Sequence, residues 1–223
     1  MKIDFYKIKG IIFDMDGVLV DSEPAMARAS IMGMAKFGVV ACEDDFKPYY
    51  GTGEKTYLGC VLEKYGAVYT SEIAACIYDI YCEIATDYII AFPGVTETLG
   101  KLHDLGYKTA IASSSVKRKL DATISAAKIK REILDAVVCG SEVYKKKPDP
   151  EIFLTAAAKL CLPPENCLVV EDSISGVQAA KAAGMDCFGI TTTFTDDFLI
   201  EKGADFAGQG ITELLKYLPW KGK

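Results

Sequence analysis

Short apolar segments alternate with longer stretches of helical apolar spacing from Ile8 onward. This alternation is typical of βαβ units around a parallel sheet, in which short apolar strands are buried on both faces. The predicted strands are Gly10–Phe13, Thr109–Ala112, Ala136–Cys139, Leu168–Val170 and Cys187–Ile190. The predicted helices are Val95–Leu105, Lys117–Ala126, Pro150–Leu160, Ser175–Ala183 and Thr212–Tyr217. These elements favour the α/β class, with a doubly wound, Rossmann-like parallel sheet.

The alternation breaks between the first and second predicted strands, where a long segment replaces a single crossover helix. From Pro24 to about Ile90 the apolar residues recur at helical spacing, and Gly51-Thr52-Gly53 interrupts them as a turn. Phe92-Pro93-Gly94 suits a linker that returns to the sheet. We therefore expect an all-helical cap domain, residues 22–91, inserted into an α/β core domain formed by residues 1–21 and 92–223.

Composition and charge exclude several kinds of protein. Half of the 223 residues are hydrophobic, which is enough for a sizeable core. The 31 acidic residues outnumber the 25 basic ones, and the chain has no basic stripe of the kind that holds a nucleic acid. No apolar stretch reaches the ~18 residues of a membrane span, and the first residues do not resemble a signal peptide. We expect a cytoplasmic monomer with no nucleic-acid or membrane partner.

Cysteine and histidine usage argues against a zinc site. None of the eight cysteines forms a Cys-x-x-Cys pair, and the only histidine is His103. The ligand spacing of a Cys/His zinc site is therefore missing, and histidine-based triads are excluded. We expect the cysteines to be reduced and mostly buried thiols, and His103 to lie at or near the surface of a helix.

Polar residues follow four of the predicted strands, at the ends where ligands bind in open α/β sheets. The four segments are Asp14-Met15-Asp16-Gly17, Ser113-Ser114-Ser115, Lys145-Lys146-Lys147-Pro148 and Glu171-Asp172-Ser173. We expect them to converge on one crevice. Asp14 and Asp16 should point the same way, because alternate residues of an extended segment share a face. Thr191-Thr192-Thr193, after the fifth strand, is expected to be loop structure, with contact to the site as the alternative.

Four sequence segments resemble, in order, the signature motifs of the haloacid dehalogenase-like superfamily. They are IIFDMDGVLVDSE, the serine step at Ser113, KPDPEIF and VVEDSISGVQAAKAAG. They are most similar to the branch with a helical cap that contains β-phosphoglucomutase and many small-metabolite phosphatases, and the resemblance covers nearly the whole chain. It implies that Asp14 attacks phosphorus to form an aspartyl-phosphate, while Asp16 protonates the leaving oxygen and then activates water.

The resemblance also assigns phosphate-binding groups. It implies that Lys147 neutralises the phosphoryl oxygens and keeps Asp14 ionised, and that Ser113 donates to a phosphoryl oxygen. Ser114 is a second candidate donor, with a turn or N-cap role before the next helix as the alternative.

The acidic residues of these segments suit a magnesium ion. Asp14, Asp16, Glu171 and Asp172 would bring four negative charges into one cleft, against the single firmly placed cation Lys147. Oxygen ligands beside a phosphate favour Mg²⁺. The resemblance implies that the ligands are the Asp14 carboxylate, the Asp16 main-chain carbonyl and Asp172, with Glu171 bound directly or through an intervening group.

Two positions in the predicted cap depart from β-phosphoglucomutase. Met26 stands where that enzyme has a histidine, and Glu54 where it has an arginine that grips the substrate's far phosphate. A carboxylate would repel a second phosphate, which disfavours mutase activity. Thr52, Glu54 and Lys55 are the candidate specificity residues of a cap that closes over the site, and a solvated turn is the alternative for each.

The sequence therefore predicts a Mg²⁺-dependent phosphatase that acts on a small phosphorylated metabolite, a sugar or polyol phosphate. The alternative is a phosphomutase of the β-phosphoglucomutase type. A dehalogenase is disfavoured because it needs neither a metal nor Glu171-Asp172. A catalytically silent binding domain is disfavoured because all four motifs are intact.

Overall fold

The computed structural model describes residues 3–50 and 53–219. Within them, six parallel strands form one sheet in the order β3-β2-β1-β4-β5-β6. The strands are β1 Gly10–Phe13, β2 Lys108–Ser113, β3 Ala136–Cys139, β4 Cys167–Glu171, β5 Asp186–Ile190 and β6 Phe206–Gly208. The expected α/β class and doubly wound parallel sheet are confirmed, since this strand order is that of Rossmann-like folds. All five predicted strands are present, and β6 was not predicted.

Eight α-helices connect or flank the strands within the same residues. They are α1 Glu23–Ala35, α2 Glu54–Lys64, α3 Ser71–Tyr88, α4 Val95–Asp104, α5 Lys117–Ala126, α6 Glu151–Lys159, α7 Ile174–Ala182 and α8 Asp196–Glu201. The predicted helix at Thr212–Tyr217 is a 3₁₀ helix at Ile211–Lys216, and α8 was not predicted. Pro150 precedes α6 instead of forming its first turn, because it occupies the N-cap position.

Both faces of the sheet are buried. Successive strand residues belong to two separate apolar clusters: Ile11 and Phe13 of β1 lie in one, and Ile12 lies in the other. This arrangement explains why the strands are continuous apolar segments without a polar alternation. Helix α7 begins at the end of β4, where the Ser173 hydroxyl accepts a hydrogen bond from the Gly176 N–H at 3.0 Å.

Helices α1, α2 and α3 lie between β1 and α4, as the helical spacing predicted. The chain leaves the sheet and returns to it side by side, because the Phe92 N–H donates to the Leu19 carbonyl at 2.9 Å and Val20 forms a bridge with Ala91. A Cβ atom at Gly33 would lie 2.4 Å from the Ile77 side chain, so glycine permits the close approach of α1 to α3. The assignment of residues 22–91 to a separate cap domain stays a prediction.

The cysteine prediction is correct in part. All eight cysteines are free thiols, but only Cys139, Cys167 and Cys187 are buried, so the expectation that most are buried is wrong. The expectation came from the general tendency of cysteine to be buried. The cysteine side chain is not charged, so the sequence does not show which cysteines are exposed. His103 is exposed on α4, as expected. Among the described residues, no helix is both long and apolar enough for a membrane span.

Candidate active site

Three of the predicted site residues meet at the carboxyl ends of β1 and β4. Asp14 follows β1, Glu171 ends β4, and Lys147 reaches them from the loop after β3. The Lys147 ammonium group binds an Asp14 carboxylate oxygen and lies 2.6 Å from Glu171 Oε1. The Lys147 side chain is only 6% exposed, so these two ion pairs are shielded from water.

Burial and charge act in opposite directions on the Lys147 site. Burial alone would lower the pKa of Lys147, but Asp14 and Glu171 raise it above its ordinary value, so the side chain stays cationic. Burial, opposed by Lys147 and reinforced by the carboxylates of Glu171, Asp16 and Asp172, raises the pKa of Asp14 to about 8. Lys147 therefore lowers the pKa of Asp14, as expected, but does not by itself hold it in its ordinary range, because burial is the larger effect.

Asp16 is held by three donors from three different segments. The Ser22 hydroxyl donates to Oδ1, the Ser115 hydroxyl lies 3.3 Å from Oδ2, and the Lys119 ammonium lies 3.2 Å from Oδ2 and 3.4 Å from Oδ1. Burial would raise the pKa of Asp16, but Lys119 and these hydroxyls lower it below its ordinary value. Asp16 is therefore in its ionised form in this arrangement.

Asp172 faces the loop that carries the two aspartates. An added Cβ at Gly17 would lie 2.2 Å from Asp172 Oδ2, so the carboxylate lies directly against the loop backbone. The Thr193 hydroxyl donates to the same oxygen, and Thr192 joins the two segments through a 2.6 Å hydrogen bond to the Gly17 carbonyl. Burial and Glu171 raise the pKa of Asp172 to about 7.

Glu171 is occupied by protein donors on both carboxylate oxygens. Lys147 contacts Oε1, while the Ser173 N–H and hydroxyl donate to Oε2 at 2.7 and 2.9 Å. The side chain also lies against the start of α7, because a Cβ at Gly176 would lie 1.8 Å from Oε1. Both oxygens are therefore occupied, which favours a role for Glu171 in positioning Lys147. The same occupancy disfavours Glu171 as a direct metal ligand.

The charge and the donor set fit a divalent cation. Four buried or half-buried carboxylates, at positions 14, 16, 171 and 172, lie near two ammonium groups, Lys147 and Lys119. Burial, together with the neighbouring carboxylates, raises the pKa values of Asp14 and Asp172. In the part of the chain that the structure describes, no three Asp, Glu, His or Cys side chains form a metal-binding cluster. The expected site needs only two carboxylates and one main-chain carbonyl.

The predicted serines occupy different environments. Ser113 is buried at the end of β2, and its hydroxyl accepts a 3.2 Å hydrogen bond from the Ser115 N–H. Ser114 is exposed. A Cβ at Gly140 would lie 2.0 Å from the Ser114 carbonyl, so the loop is packed tightly against the end of β3.

The predicted cap residues are not all described. Thr52 lies outside the described residues, and Lys55 is exposed at the start of α2. Glu54 accepts hydrogen bonds from the hydroxyls of Tyr69 and Tyr78, the second at 2.5 Å. It lines a groove of about 390 Å³ between α3 and the start of α5, which Lys117 and Arg118 also line. This groove does not include Asp14 or Lys147.

Two contacts at the site, from Ser22 and Lys119, were missed by the sequence analysis, and two more come from threonines for which it had favoured loop structure. Ser22, Lys119, Thr192 and Thr193 all contact Asp16, Asp172 or the loop between β1 and α1. For the threonines the signal was their place after β5, at the same edge of the sheet. No sequence signal distinguished Lys119 from the two cations before it in α5.

Comparison with known proteins identifies related chains. A family model described as haloacid dehalogenase-like hydrolase matches residues 8–184. The phosphorylated carbohydrates phosphatase of Thermotoga maritima is 31% identical over 200 residues, which cover 88% of this chain and 92% of that protein. The crystal structure of CbbY from Rhodobacter sphaeroides in complex with phosphate superposes with a TM-score of 0.79 at 25% identity, over 93% of this chain and 96% of that one.

One relative is much longer. Protein SUPPRESSOR OF QUENCHING 1, chloroplastic, of Arabidopsis thaliana is 36% identical over 204 residues, which cover 90% of this chain. The matched segment is 19% of the plant protein's length, so this chain spans about a fifth of that relative.

Proposed function

The chain belongs to the haloacid dehalogenase-like hydrolase family, and on that premise we propose that it is a Mg²⁺-dependent phosphatase of a small sugar or polyol phosphate. The observation that carries the proposal is the buried contact of Lys147 with Asp14, beside Asp172 and the Asp14–Gly17 loop. A carboxylate held next to a fixed cation at the carboxyl ends of the strands is suited to attack a phosphoryl group, because the cation offsets the charge of that group. The relative named a phosphorylated carbohydrates phosphatase supports the substrate class.

In the proposed reaction, an Asp14 oxygen forms a bond to phosphorus while the bond from phosphorus to the leaving oxygen breaks. Asp16, after taking up a proton from solvent, gives that proton to the leaving oxygen. Asp16 then takes a proton from water, which attacks the phosphorylated Asp14, and inorganic phosphate leaves. The ionised Asp16 of this structure is the form that the second step requires, and the first step requires the protonated form.

Magnesium would be held by the Asp14 and Asp172 carboxylates and the Asp16 main-chain carbonyl. When bound, it would supply Lewis-acid polarisation of the phosphoryl group. Lys147 stays the fixed cation of the protein itself, because its ammonium group binds Glu171, whose other carboxylate oxygen is held by Ser173. Ser113 is proposed to donate its hydroxyl hydrogen to a phosphoryl oxygen.

We propose that residues 22–91 act as a cap over this site and that Glu54 and Lys55 take part in substrate selection. Glu54 supports a phosphatase over the alternative phosphomutase, because its carboxylate accepts two tyrosine hydrogen bonds and would repel a second phosphate. We also propose Thr52 for substrate selection, on the basis of the sequence alone.

Phosphate release from a panel of sugar and polyol phosphates tests the proposal. We expect release by the native chain, no release after chelation of divalent metal, and no release by Asp14→Asn. Asp104→Asn, on the exposed side of α4, is the matched control and should keep full activity. Turnover that persists in Asp14→Asn would contradict the proposal. Conversion of β-glucose 1-phosphate to glucose 6-phosphate without phosphate release would establish the mutase instead.

A further inference from the structure

A buried lysine on α5 contacts the second aspartate of the site. Lys119 Nζ lies 3.2 Å from Asp16 Oδ2 and 3.4 Å from Oδ1, and its side chain is 12% exposed. The two residues are far apart in sequence, so the contact depends on how α5 is placed after β2. Burial would lower the pKa of Lys119, but Asp16 raises it above its ordinary value, so the contact joins two charged groups.

The Lys119 side chain is fixed on its other side by α3. Its ammonium group lies 5.6 Å from the centroid of the Tyr81 ring, and the Tyr81 hydroxyl lies 2.8 Å from the Thr123 hydroxyl. Thr123 in turn donates to the Lys119 carbonyl at 2.8 Å. An aromatic face and a carboxylate together restrict the position of the ammonium group more than either would alone.

The two cations before Lys119 behave differently. Lys117 pairs with Asp121 on the surface of α5, and Arg118 reaches across to Asp79 of α3. Of these three consecutive cationic residues, Lys119 is the one that points to the site. It shares Asp16 with Ser115, which lies in the segment before α5 and also contacts that carboxylate.

We propose that Lys119 is a positioning residue for the phosphatase reaction, holding the Asp16 carboxylate together with Ser22 and Ser115 where it exchanges a proton with the leaving oxygen and with water. The inference rests on the proposed function. Lys119 acts through Asp16 and not on the substrate, because Asp16 is the site group its ammonium contacts. Proton transfer by a placed side chain contributes about 10²- to 10⁴-fold to a rate, and small misplacements remove much of it.

The first test replaces the ammonium group while keeping a long side chain. For Lys119→Met acting on p-nitrophenyl phosphate, we expect kcat to fall by about 10- to 100-fold while KM changes by less than about threefold. Lys119→Arg keeps a cation and should recover most of the lost kcat. Lys181→Met is the matched control, because it also removes a helical lysine that pairs with an aspartate. Its partner, Asp205, lies near the amino end of β5, away from the site. The control should keep the native kcat.

The second test asks whether Lys119 acts through Asp16. In an Asp16→Asn background, Lys119→Met should cause no further loss of the residual p-nitrophenyl phosphate turnover, because the group that Lys119 positions has been changed. Urea unfolding and far-UV circular dichroism of each variant report whether it is folded, and Lys119→Gln, which also lacks the charge, replaces Lys119→Met in both backgrounds if Lys119→Met does not fold.

Three results would overturn the inference. The first is a native kcat in Lys119→Met, and the second is an equal fold-loss of kcat when Lys119→Met is added to the native chain and to Asp16→Asn. The third is a raised KM at unchanged kcat in Lys119→Met. Failure of Lys119→Arg to restore turnover would also count against it. If the native chain releases no phosphate from p-nitrophenyl phosphate or any sugar phosphate, the proposed function itself has failed. An active native chain with an unaffected Lys119→Met variant removes the positioning role alone.

Discussion

Gly17 is the residue at which backbone conformation and site geometry constrain each other most. Its φ of +81° is in the left-handed region, and its Cα hydrogen faces the Asp172 carboxylate. A side chain there would be strained and would also displace a proposed metal ligand. The loop after β1 therefore needs glycine for two separate reasons.

Comparing two alanine variants separates those reasons. Gly17→Ala and Gly106→Ala both place a Cβ at positive φ, but the new Cβ meets Asp172 only in the first, and nothing lies within 4 Å of it in the second. We expect both to lose roughly 1–3 kcal/mol of stability in urea unfolding. Only Gly17→Ala should also lose phosphatase activity. Equal activity in the two variants would show that the Asp172 contact has no catalytic consequence.

Removing the buried cation tests how the two ion pairs of Lys147 are balanced. Lys147→Met leaves Asp14 and Glu171 buried without their cation, and we expect a loss of about 3–5 kcal/mol in the free energy of unfolding. Adding Glu171→Gln removes one of the two unpaired charges, so the double variant should be more stable than Lys147→Met. A double variant less stable than the single one would mean that Glu171 stabilises the fold independently of Lys147.

At the residue scale, motif position predicted one group of contacts and missed another. Asp14 and Glu171 lie at the carboxyl ends of β1 and β4, and Lys147 lies in the loop after β3, so the common end of the parallel strands brings these three predicted residues together. Lys119 was missed because it lies inside a helix, where the inward direction depends on the crossing of α5 over the sheet. Three consecutive cations in the sequence do not reveal which of them faces Asp16.

At the element scale, Asp45 ties the 3₁₀ helix at Glu43–Asp45 to the end of α2. Its carboxylate accepts from the Cys42 N–H at 2.8 Å, from the Tyr65 hydroxyl at 2.7 Å and from Lys64. The Cys42 N–H, followed by Lys64 and Tyr65, holds the pKa of Asp45 well below its ordinary value of 3.8. One carboxylate therefore joins this 3₁₀ segment to the end of α2.

The lowered pKa sets the sign of a pH effect on stability. Stabilisation by Asp45 is present above the unfolded-state pKa of about 3.9 and is lost as the pH falls through the lower folded-state pKa. We expect Asp45→Asn to lose about 1–3 kcal/mol in urea unfolding at about pH 7, and this difference to shrink as the pH falls below about 4. Asp44→Asn is the control, since Asp44 pairs with Lys47 at the surface and should change stability little. A pH-independent gap between Asp45→Asn and the native chain would contradict the assignment.

The elements that the sequence analysis missed are short and half-exposed. β6 has three residues, all partly exposed at the sheet edge, and only Leu199 is buried in the six-residue α8. Segments this short contain too few residues for an apolar period to be recognised in the sequence. The central strands, buried on both faces, were predicted within about two residues at each end, because burial produces the apolar segments that sequence analysis detects.

At the scale of the whole molecule, the fold brings four carboxylates together at the carboxyl ends of the strands, beside two ammonium groups. Carboxylates at positions 14, 16, 171 and 172 come from two strand ends, and the two ammonium groups come from α5 and from the loop after β3. Folding alone therefore concentrates charge that is dispersed in the unfolded chain. A ligand that binds only the folded arrangement must stabilise it.

Magnesium should consequently raise the melting temperature of the native chain. At a metal concentration about 100 times the Kd, the linkage relation gives about 2.7 kcal/mol, or roughly 5–10 °C for a chain of this length. Asp172→Asn removes a proposed ligand and should lose most of this shift, whereas Asp104→Asn on α4 should keep it. Calorimetry with and without MgCl₂ measures the shift independently of turnover. An equal shift in Asp172→Asn would mean that the ion binds elsewhere, because the stabilisation would then not depend on the carboxylate that lies against Gly17.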